Sequence, residues 1–336
     1  MVYYATLGPA CADMNILRRM FRQGMSGIRL NLSHTNLEGS SDWITKYQAA
    51  ASQEGILKPE LLIDLQGPEL RIGRMNINLE WQDRQEVYMD ALPLPRHILP
   101  YLTEGQEVLI DDGKILLKVV EHISDEPADI KCKVLRGGKV VQRKSIALPG
   151  ISIPVPTLTD ADKENLKVAK EYGVTGVMLP FVRNKKDITN LREELHKHGA
   201  DDIRIFAKLE SLEGVEILPE LLEEADEIVI ARGDLGNAVD LWKLPVLQKE
   251  IARQCRIAGK PFMVVTQMLA SMETRAVPTR AEVSDIFNAV LDGAKSVMLT
   301  GETAVGRYPV EAMAYLIKTS EEALLYKSGK EDMIWD

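Results

Sequence analysis

Eight short apolar runs, each followed by an amphipathic helical pattern, divide most of this chain into repeated strand-helix units. Strict alternation of strands and helices through short loops is typical of parallel sheets, and eight such units are the number that closes a barrel. We therefore predict the α/β class and a (β/α)8 TIM barrel. The predicted strands are residues 2–7, 27–31, 61–65, 175–179, 204–208, 227–231, 261–266 and 296–300.

Residues that favour helix ends stand where this alternation requires them. Thr279 and Glu282 have the spacing of a capping box, and Gly293 follows the apolar residues of that helix as a terminal glycine would. Gly24 can end the first helix, and Pro309 can begin the last one. These positions predict separate helices between the strands.

The segment after the third strand has a different pattern, with two predicted hairpins. One turns at Asp111-Asp112-Gly113 and the other at Gly137-Gly138, the second joining residues 131–135 to 139–147. We predict a small all-β lid domain inserted after the third strand, because an insertion there follows a strand end where barrel active sites form. The predicted division is residues 1–67, the first part of the barrel; 68–149, the inserted β-barrel lid domain; 150–326, the remainder of the barrel; and 327–336, a polar tail.

Composition excludes several classes of protein. The chain has 41 Lys and Arg against 50 Asp and Glu, a net charge of −9, and no basic block, so we expect no nucleic-acid partner. It has no signal-peptide pattern and no apolar run of the roughly 18 residues that a spanning helix needs, so we expect no membrane. Cys11, Cys132 and Cys255 are widely spaced, which favours a reducing, cytoplasmic setting.

Polar residues follow nearly every predicted strand, where a barrel carries its catalytic groups. Lys208 and Glu210 are two residues apart on one strand and therefore point to the same side, and Asp234 follows the next strand. Two carboxylates beside a lysine suit Mg²⁺, which also accepts substrate oxygens and water; a structural ion pair is the alternative. Two glycines flank Asp234, so backbone amides there can approach an anion.

A second polar group comes from the second and third predicted strands. Asn31, Ser33 and Asp64 offer oxygen atoms without the charge that a divalent ion needs. From the residues alone, a monovalent-cation site and a buried hydrogen-bond network are equally good interpretations. No P-loop, GxGxxG, HExxH or GxSxG motif occurs, which argues against the enzyme classes that depend on those motifs.

The chain resembles the pyruvate kinase family in six motifs that occur in the family's order. They are ATLGPA at 5–10, IRLNLSH at 28–34, GPELR at 67–71, IARGDLG at 230–236, TQML at 266–269 and PTRAE at 278–282. The resemblance covers essentially the whole chain and implies phosphoryl transfer from phosphoenolpyruvate to ADP. It also implies protonation of the resulting enolpyruvate.

The resemblance also implies roles for individual residues. Catalysis would use Lys208, Thr266 and Arg29, and substrate would be bound by Gly233, Asp234, Thr266 and Arg29. Mg²⁺ or Mn²⁺ would be held by Glu210 and Asp234, and K⁺ by Asn31, Ser33, Asp64 and the main-chain carbonyl of Leu65. His34 and Arg71 match residues that bind the nucleotide, and Glu69 matches the glutamate that accompanies K⁺ dependence.

The chain departs from the family pattern at several places. It ends after the eighth helix, so we expect no C-terminal effector domain, no allosteric regulation of the usual kind, and a homodimer formed through barrel helices. Leu65-Gln66 stands where Thr-Lys is usual, and Pro180 where Ser is usual. Two alternatives to a glycolytic pyruvate kinase follow: a specialised paralogue acting on another phosphoenolpyruvate-like or enolpyruvyl substrate, and a non-catalytic metabolite-binding protein.

Overall fold

The computed structural model describes residues 1–33, 35–111, 113–151, 153 and 155–329. Contacts divide the chain into two compact units. Among the described residues, one unit comprises Met1–Gly67, Thr157–Leu235 and residues 241–329, and the other comprises Pro68–Pro156 with Gly236–Asp240. The second unit therefore extends past the predicted boundary at residue 149 and includes a short piece that is remote in the sequence.

The first unit is a closed barrel of eight parallel strands, which confirms the predicted fold class. Each strand pairs with its neighbours in chain order, and the first strand pairs with both the second and the eighth, which closes the sheet. The barrel strands are Val2–Thr6, Gly27–Asn31, Glu60–Asp64, Gly176–Leu179, Arg204–Leu209, Glu227–Ala231, Phe262–Val265 and Ser296–Met298.

Helices alternate with these strands, as the amphipathic patterns predict. The α-helices are α1 (Met14–Gln23), α2 (Ser41–Gln53), α3 (Asp160–Val168), α4 (Lys185–Lys197), α5 (Leu212–Glu216), α6 (Leu218–Glu224), α7 (Arg232–Ala238), α8 (Leu244–Ile257), α9 (Arg280–Leu291), α10 (Gly301–Ala304) and α11 (Pro309–Lys327). Short 3₁₀ helices span Met89–Ala91, Arg96–Tyr101, Pro127–Asp129, Leu241–Lys243 and Ala270–Glu273. In the part of the chain that the structure describes, no helix is both long and apolar enough to cross a membrane.

The predicted helix ends are confirmed at atomic detail. Thr279 caps α9 and forms a reciprocal capping box with Glu282, which satisfies amide groups that have no partner inside the helix. Gly24 ends α1 in the left-handed conformation, and Pro309 begins α11. Local residue chemistry therefore decides where these helices begin and end.

The seventh barrel strand ends at Val265, one residue before its predicted end. Thr266 has φ +76°, a left-handed conformation that a β-branched residue rarely adopts, so the chain leaves the extended state there. The eighth strand likewise ends at Met298 rather than at residue 300.

The second unit contains two antiparallel sheets. The larger sheet has five strands in the order Ile146–Ala147, Glu107–Ile110, Ile115–His122, Ile130–Arg136 and Glu86–Tyr88. The smaller sheet pairs Leu79–Trp81 with Gly138–Val140. The predicted hairpin that joins 107–110 to the following strand is confirmed, although Asp112 of its turn lies outside the described residues.

The second predicted hairpin is wrong. Ile130–Arg136 pairs with Ile115–His122 and Glu86–Tyr88, whereas Gly138–Val140 pairs with Leu79–Trp81. Gly137 does not form a hairpin turn. Glycine is needed there because the backbone passes close to Trp81, and a Cβ atom on residue 137 would lie 2.2 Å from the Trp81 carbonyl oxygen. The two glycines thus carry the chain from one sheet to the other.

Alternate side chains of the barrel strands fill the interior of the barrel with an apolar layer. Its members form one buried cluster: Tyr4, Leu62, Met178, Phe206, Val229, Ala231, Met263, Val265 and Met298. A separate and larger cluster packs the other faces of the strands against the helices. The apolar layer separates two polar regions at the opposite ends of the barrel, because residues two positions along a strand share its face.

Charged residues lie at the amino ends of the strands, below the apolar layer. Glu60 accepts hydrogen bonds from Arg204 and from the hydroxyl of Tyr4, and Glu227 accepts one from Ser296. Burial raises the pKa of Glu227 from 4.5 to about 7, and the negative charge of Glu60 adds to this, although Ser296, Arg204 and Lys295 oppose it. Glu227 therefore binds a proton more tightly in the folded barrel than in the unfolded chain.

We expect Glu227→Gln to remove the part of the pH dependence of the free energy of unfolding that arises from ionisation of Glu227. In the wild type, the contribution of Glu227 is fully present below pH 4.5 and is lost as the pH rises to about 7. Gln cannot ionise, so the free energy of unfolding of the variant should gain about 3 kcal/mol relative to wild type between these limits. Urea unfolding at pH 4.5 and pH 8 measures the difference.

The exposed carboxylate of Glu322 provides the matched control, Glu322→Gln. The gain of Glu227→Gln between the two pH values is measured against this variant, which also loses one carboxylate. A gain no larger than that of Glu322→Gln would show that the buried carboxyl does not titrate in this range.

Candidate active site

Three charged side chains meet in the barrel interior at the carboxyl end of the strands. Arg29 donates two hydrogen bonds to Asp64 Oδ2, from Nε at 3.0 Å and from Nη2 at 2.6 Å. Lys208 Nζ lies 3.2 Å from Asp64 Oδ1 and 3.3 Å from Oδ2. The side chain of Asp64 is only 4% exposed, and those of Arg29 and Lys208 are each 13% exposed. Two cations thus share one buried carboxylate.

Glu210, which directly follows the strand that carries Lys208, completes this group. Its Oε1 atom forms an ion pair with Lys208 Nζ at 2.8 Å, and its Oε2 atom accepts a hydrogen bond of 2.7 Å from the amide of Phe181. Phe181 has φ +51°, so the chain takes a left-handed turn to present that amide. The predicted proximity of Lys208 and Glu210 follows from their two-residue spacing, but the Phe181 amide has no sequence signal that would identify it.

The charges in this group shift the acid-base equilibria of its members. Burial would lower the pKa of Lys208, but the negative charges of Asp64 and Glu210 outweigh it and raise the pKa above its ordinary value. The charge of Asp234 acts in the same direction. Burial would raise the pKa of Asp64, yet Lys208 and Arg29 hold it below its ordinary value. Lys208 therefore stays positively charged, and Asp64 negatively charged, at neutral pH.

The donor set at Glu210 fits a divalent ion. Among the described residues, Glu210 Oε1 is one of two buried side-chain atoms without a hydrogen-bond partner, although it is ion-paired to Lys208. No group of three or more Asp, Glu, His or Cys side chains suited to a metal occurs in the described part of the chain. A site with two carboxylates still suits Mg²⁺, because water or substrate oxygens can complete its shell. That Glu210 and Asp234 hold this ion stays a prediction.

The second oxygen-rich group lies on adjacent strands. Asn31 is directly opposite Asp64 in the strand register, and Asn31 Oδ1 accepts a hydrogen bond of 3.1 Å from the amide of Ser33. The amide of Leu65 donates to the carbonyl of Met178 at 3.1 Å. One carboxylate with neutral oxygens suits the low charge density of a monovalent cation. The monovalent-cation site and the hydrogen-bond network both stay predictions.

Thr266 lies beside the first turn of α7. A Cβ atom on Gly233 would be 3.1 Å from Thr266 Cγ2 and 3.6 Å from its hydroxyl oxygen, so the glycine backbone lies close to this side chain. The amides of Gly233 and Asp234 belong to that first turn, where amide groups have no partner within the helix. Thr266 and these amides are therefore neighbours.

The two proposed nucleotide residues are not placed by these contacts. His34 lies outside the described residues. Arg71 belongs to the second unit, where it donates to Glu69 Oε2 at 2.7 and 2.9 Å and to the carbonyl of Arg143 at 2.8 Å. Their nucleotide-binding role stays a prediction.

Gln66 and Gly67, the residues that lead into the insertion, are anchored in the barrel unit. Their amides donate to Asp162 Oδ1 and Oδ2 at 2.9 and 3.1 Å. Asp162 also forms a capping box with Thr159 at the start of α3. Pro180 packs closely against Gly67, since a Cβ atom there would lie 2.5 Å from Pro180 Cγ. The two departures from the family pattern, Leu65-Gln66 and Pro180, therefore lie close together.

A cavity of about 560 Å³ opens beside this anchor. Ser33, Gln66, Glu38 and Glu164 are among its lining residues, and no lysine or arginine is among the described residues that line it. It does not include Lys208, Glu210 or Thr266. A polyanion bound here would need positive charge from another part of the protein.

Comparison with known proteins shows the family of the chain. A family model described as pyruvate kinase, barrel domain, matches residues 2–313. Similar proteins include pyruvate kinase of Bacillus licheniformis, 37% identical over 96% of this chain and 57% of that protein. Others are pyruvate kinase of Thermococcus litoralis, 36% identical over 95% of this chain and 69% of that protein, and pyruvate kinase 1 of Saccharomyces cerevisiae, 32% identical over 98% and 69%.

The chain therefore spans little more than half the length of the Bacillus relative, 57%. The match covers the closed barrel and its inserted sheets together, as well as all the strand ends that carry the site. The chain belongs to the pyruvate kinase family.

Proposed function

We propose that this chain transfers the phosphoryl group of phosphoenolpyruvate to ADP, giving pyruvate and ATP. The observation that carries the proposal is the buried ammonium group of Lys208, which lies between the carboxylates of Asp64 and Glu210 at the carboxyl end of the barrel. A fixed positive charge at that position can stabilise charge that develops on a transferring phosphoryl group.

In this reaction the bond between phosphorus and the enol oxygen breaks, and a new bond forms to a β-phosphate oxygen of ADP. Lys208, whose pKa is raised, would act as a charge and not as a proton donor. Arg29 would donate hydrogen bonds to the phosphoryl oxygens. In doing so it would give up part of its contact with Asp64. Both side chains are already held in place by that buried carboxylate, which limits the reorganisation needed for catalysis.

The enolate left by phosphoryl transfer takes up one proton at carbon 3 to become pyruvate. The amides of Gly233 and Asp234 would hold the substrate carboxylate together with the hydroxyl of Thr266. The same hydroxyl would belong to the path that delivers the proton. The position of Thr266 beside the first turn of α7 supports these assignments.

Glu210 and Asp234 would hold Mg²⁺ or Mn²⁺, which when bound neutralises negative charge on substrate oxygens. Asn31, Ser33, Asp64 and the carbonyl of Leu65 would hold K⁺, because they combine one carboxylate with neutral oxygens. His34 and Arg71 would bind the nucleotide phosphates.

The cavity beside Gln66 favours one second candidate, a phosphoryl acceptor or enolpyruvyl substrate other than the usual pair. Its lining combines Gln66 with the carboxylates of Glu38 and Glu164, which suits a ligand less anionic than a nucleoside diphosphate. A specialised paralogue with the same barrel chemistry would show activity in a panel of such substrates and not with ADP.

The test is turnover of the purified chain with phosphoenolpyruvate, ADP, Mg²⁺ and K⁺, with pyruvate measured through coupled oxidation of NADH. Dependence of the rate on each component would support the proposal and its metal assignments. No turnover with ADP, with activity in the panel, would favour the second candidate. Binding of phosphoenolpyruvate by calorimetry without any turnover would indicate a metabolite-binding protein.

We also propose a homodimer. Three exposed apolar side chains on the barrel unit support it. Leu241 and Trp242, in the 3₁₀ helix before α8, are 70% and 76% exposed, and Val246, in the first turn of α8, is 68% exposed. Apolar surface of this kind is commonly covered by a partner. Light scattering at micromolar concentration should give twice the mass of the 37.5 kDa chain, and a monomer would contradict the proposal.

A further inference from the structure

Two consecutive residues at the end of the seventh strand are held in the left-handed conformation. Thr266 has φ +76° and Gln267 has φ +54°. Such a conformation costs about 1–3 kcal/mol for each residue that is not glycine, and it persists only where surrounding contacts impose it. The contacts that hold this turn therefore determine the direction in which Thr266 points.

Arg232 supplies most of these contacts. Its Nη2 atom donates to the carbonyl of Thr266 at 2.7 Å, and its Nε atom lies 3.2 Å from that carbonyl and 3.3 Å from the carbonyl of Val265. Nη2 also lies 3.0 Å from the sulfur of Met268. One planar guanidinium thus binds both sides of the strained residue, and its side chain is only 12% exposed.

The guanidinium is itself held by helix α9. Its remaining nitrogen, Nη1, donates to Asp285 Oδ2 at 2.6 Å. Charge-assisted bonds of this length are the strongest class of hydrogen bond between side chains. Because Asp285 lies on a regular helix, it gives Arg232 a fixed anchor.

Two further carboxylates fix the chain that follows the turn. Glu302 accepts a hydrogen bond of 2.9 Å from the amide of Leu269, and Glu282 accepts one of 2.7 Å from the amide of Ser271. Downstream of the turn the backbone is therefore held independently of Arg232. Loss of Arg232 would release the turn at Thr266 without releasing the whole loop.

Arg232 also precedes Gly233, against which the side chain of Thr266 lies. The same residue therefore begins the turn that presents the Gly233 amide and holds the carbonyl of Thr266. A change of φ at Thr266 would move its hydroxyl relative to that amide, because φ sets the direction of the Cα–Cβ bond against the preceding strand.

We propose that Arg232, anchored by Asp285, is a positioning residue that keeps the Thr266 hydroxyl aligned with the amides of Gly233 and Asp234. This inference rests on the proposed function, in which that hydroxyl acts on the substrate. Arg232 does not itself contact the substrate. Its effect on catalysis passes through Thr266.

A double-mutant cycle tests this coupling. Arg232→Lys keeps the charge but loses the planar fork, and we expect kcat to fall about 100-fold, the loss that misplacement of a reacting group by about 1 Å can cause. Thr266→Ala removes the hydroxyl and should cause a loss of at least that size. If Arg232 acts through Thr266, the double variant will be nearly as active as Thr266→Ala alone. Multiplied losses would overturn the proposal.

Replacement of the anchor gives a graded version of the same test. Asp285→Asn retains an acceptor oxygen for Arg232 Nη1, whereas Asp285→Ala retains none. We expect the Asn variant to keep several-fold more activity than the Ala variant, with losses in both that disappear in a Thr266→Ala background. Equal activities of the two variants would contradict the anchor role.

A matched arginine elsewhere in the barrel unit separates positioning from general stability. Arg192 on α4 donates to Asp226 Oδ2 at 3.0 Å and to the carbonyl of Glu224 at 3.2 Å, so it also joins a carboxylate to a carbonyl. Arg192→Lys should leave kcat unchanged. If Arg232→Lys lowers kcat no more than this control does, Arg232 has only a structural role.

Failure of this inference can be distinguished from failure of the proposed function. A wild-type chain that neither turns over nor binds phosphoenolpyruvate would refute the proposed function. A crystal structure of Arg232→Lys tests the positioning step whatever the activity: we expect Thr266 to leave the left-handed region. Retention of its φ and of its contact with Gly233 would overturn the inference.

Discussion

Replacement of Lys208 with Met is expected to lower kcat for phosphoryl transfer from phosphoenolpyruvate to ADP by at least about 1,000-fold. The change removes a buried positive charge that lies 2.8 Å from Glu210 and 3.2 Å from Asp64 and replaces it with a side chain of similar length. Among the described residues, Lys208 is the lysine that contacts both of these carboxylates. The rate of pyruvate formation measures the loss.

The same variant should remain folded, although with lower stability. Asp64 keeps its two hydrogen bonds from Arg29, and Glu210 keeps the amide of Phe181. Loss of one member of a buried ion pair commonly costs about 3–5 kcal/mol, and the retained contacts should keep the cost at or below that range. Circular dichroism and urea unfolding check that the loss of activity is not a loss of fold.

Lys185 offers a matched control for this substitution. It also lies between two carboxylates, 3.3 Å from Glu223 Oε2 and 2.7 Å from Glu224 Oε1, but on helix α4 with its side chain 44% exposed. Lys185→Met should retain wild-type kcat. Turnover that is unchanged in Lys208→Met would show that the assignment of Lys208 is incorrect.

Glu210→Gln is expected to weaken binding of the divalent ion by at least about 100-fold, since loss of supporting partners outside the ligand shell alone costs 10–100-fold. The amide keeps an oxygen for the Phe181 amide but loses the negative charge. Its NH₂ group would also point towards the ammonium of Lys208, which stands 2.8 Å from the present carboxylate oxygen. Electron paramagnetic resonance of free Mn²⁺ measures the affinity without any need for turnover.

Glu227→Gln is the matched control for the metal experiment. Glu227 is also a buried glutamate on a barrel strand, but it lies at the amino end of its strand, below the apolar layer. Its variant should bind Mn²⁺ as the wild type does. Wild-type affinity in Glu210→Gln would remove Glu210 from the proposed ligand set.

Much of the barrel is predictable because its signals are local. Alternating patterns of period two and 3.6 show where strands and helices stand, and residues such as Thr279 and Gly24 mark helix ends within one turn of chain. The polar residues at strand ends are also visible, because a parallel barrel brings all its carboxyl ends to one rim. The positions of Lys208 and Glu210 on one strand therefore predict their contact.

Other features depend on contacts between distant residues. The second hairpin prediction failed because Gly137-Gly138 is a turn-like pair whose role is to approach the backbone of Trp81, which is far away in sequence. Pairing in an antiparallel sheet is decided by competition among several strands of similar pattern. Nothing in residues 131–147 alone identifies the strands with which these residues pair.

The candidate site also combines features that local sequence predicts with features that depend on contacts between distant residues. Residue types and strand ends indicate which side chains reach the rim, and the motifs indicate their family. The sharing of Asp64 by Arg29 and Lys208 joins residues 35 and 144 positions apart. The support of Thr266 by Arg232 and Asp285 likewise depends on how a strand, a turn and a helix meet.

The primary structure thus specifies elements and candidate side chains, since these depend on neighbours within a turn or two of the chain. Closure of the barrel decides which of these side chains form hydrogen bonds or ion pairs with one another, because such contacts need atoms within about 3–4 Å. Only the register of eight strands brings the buried lysine, its two carboxylates and the strained threonine turn to their positions.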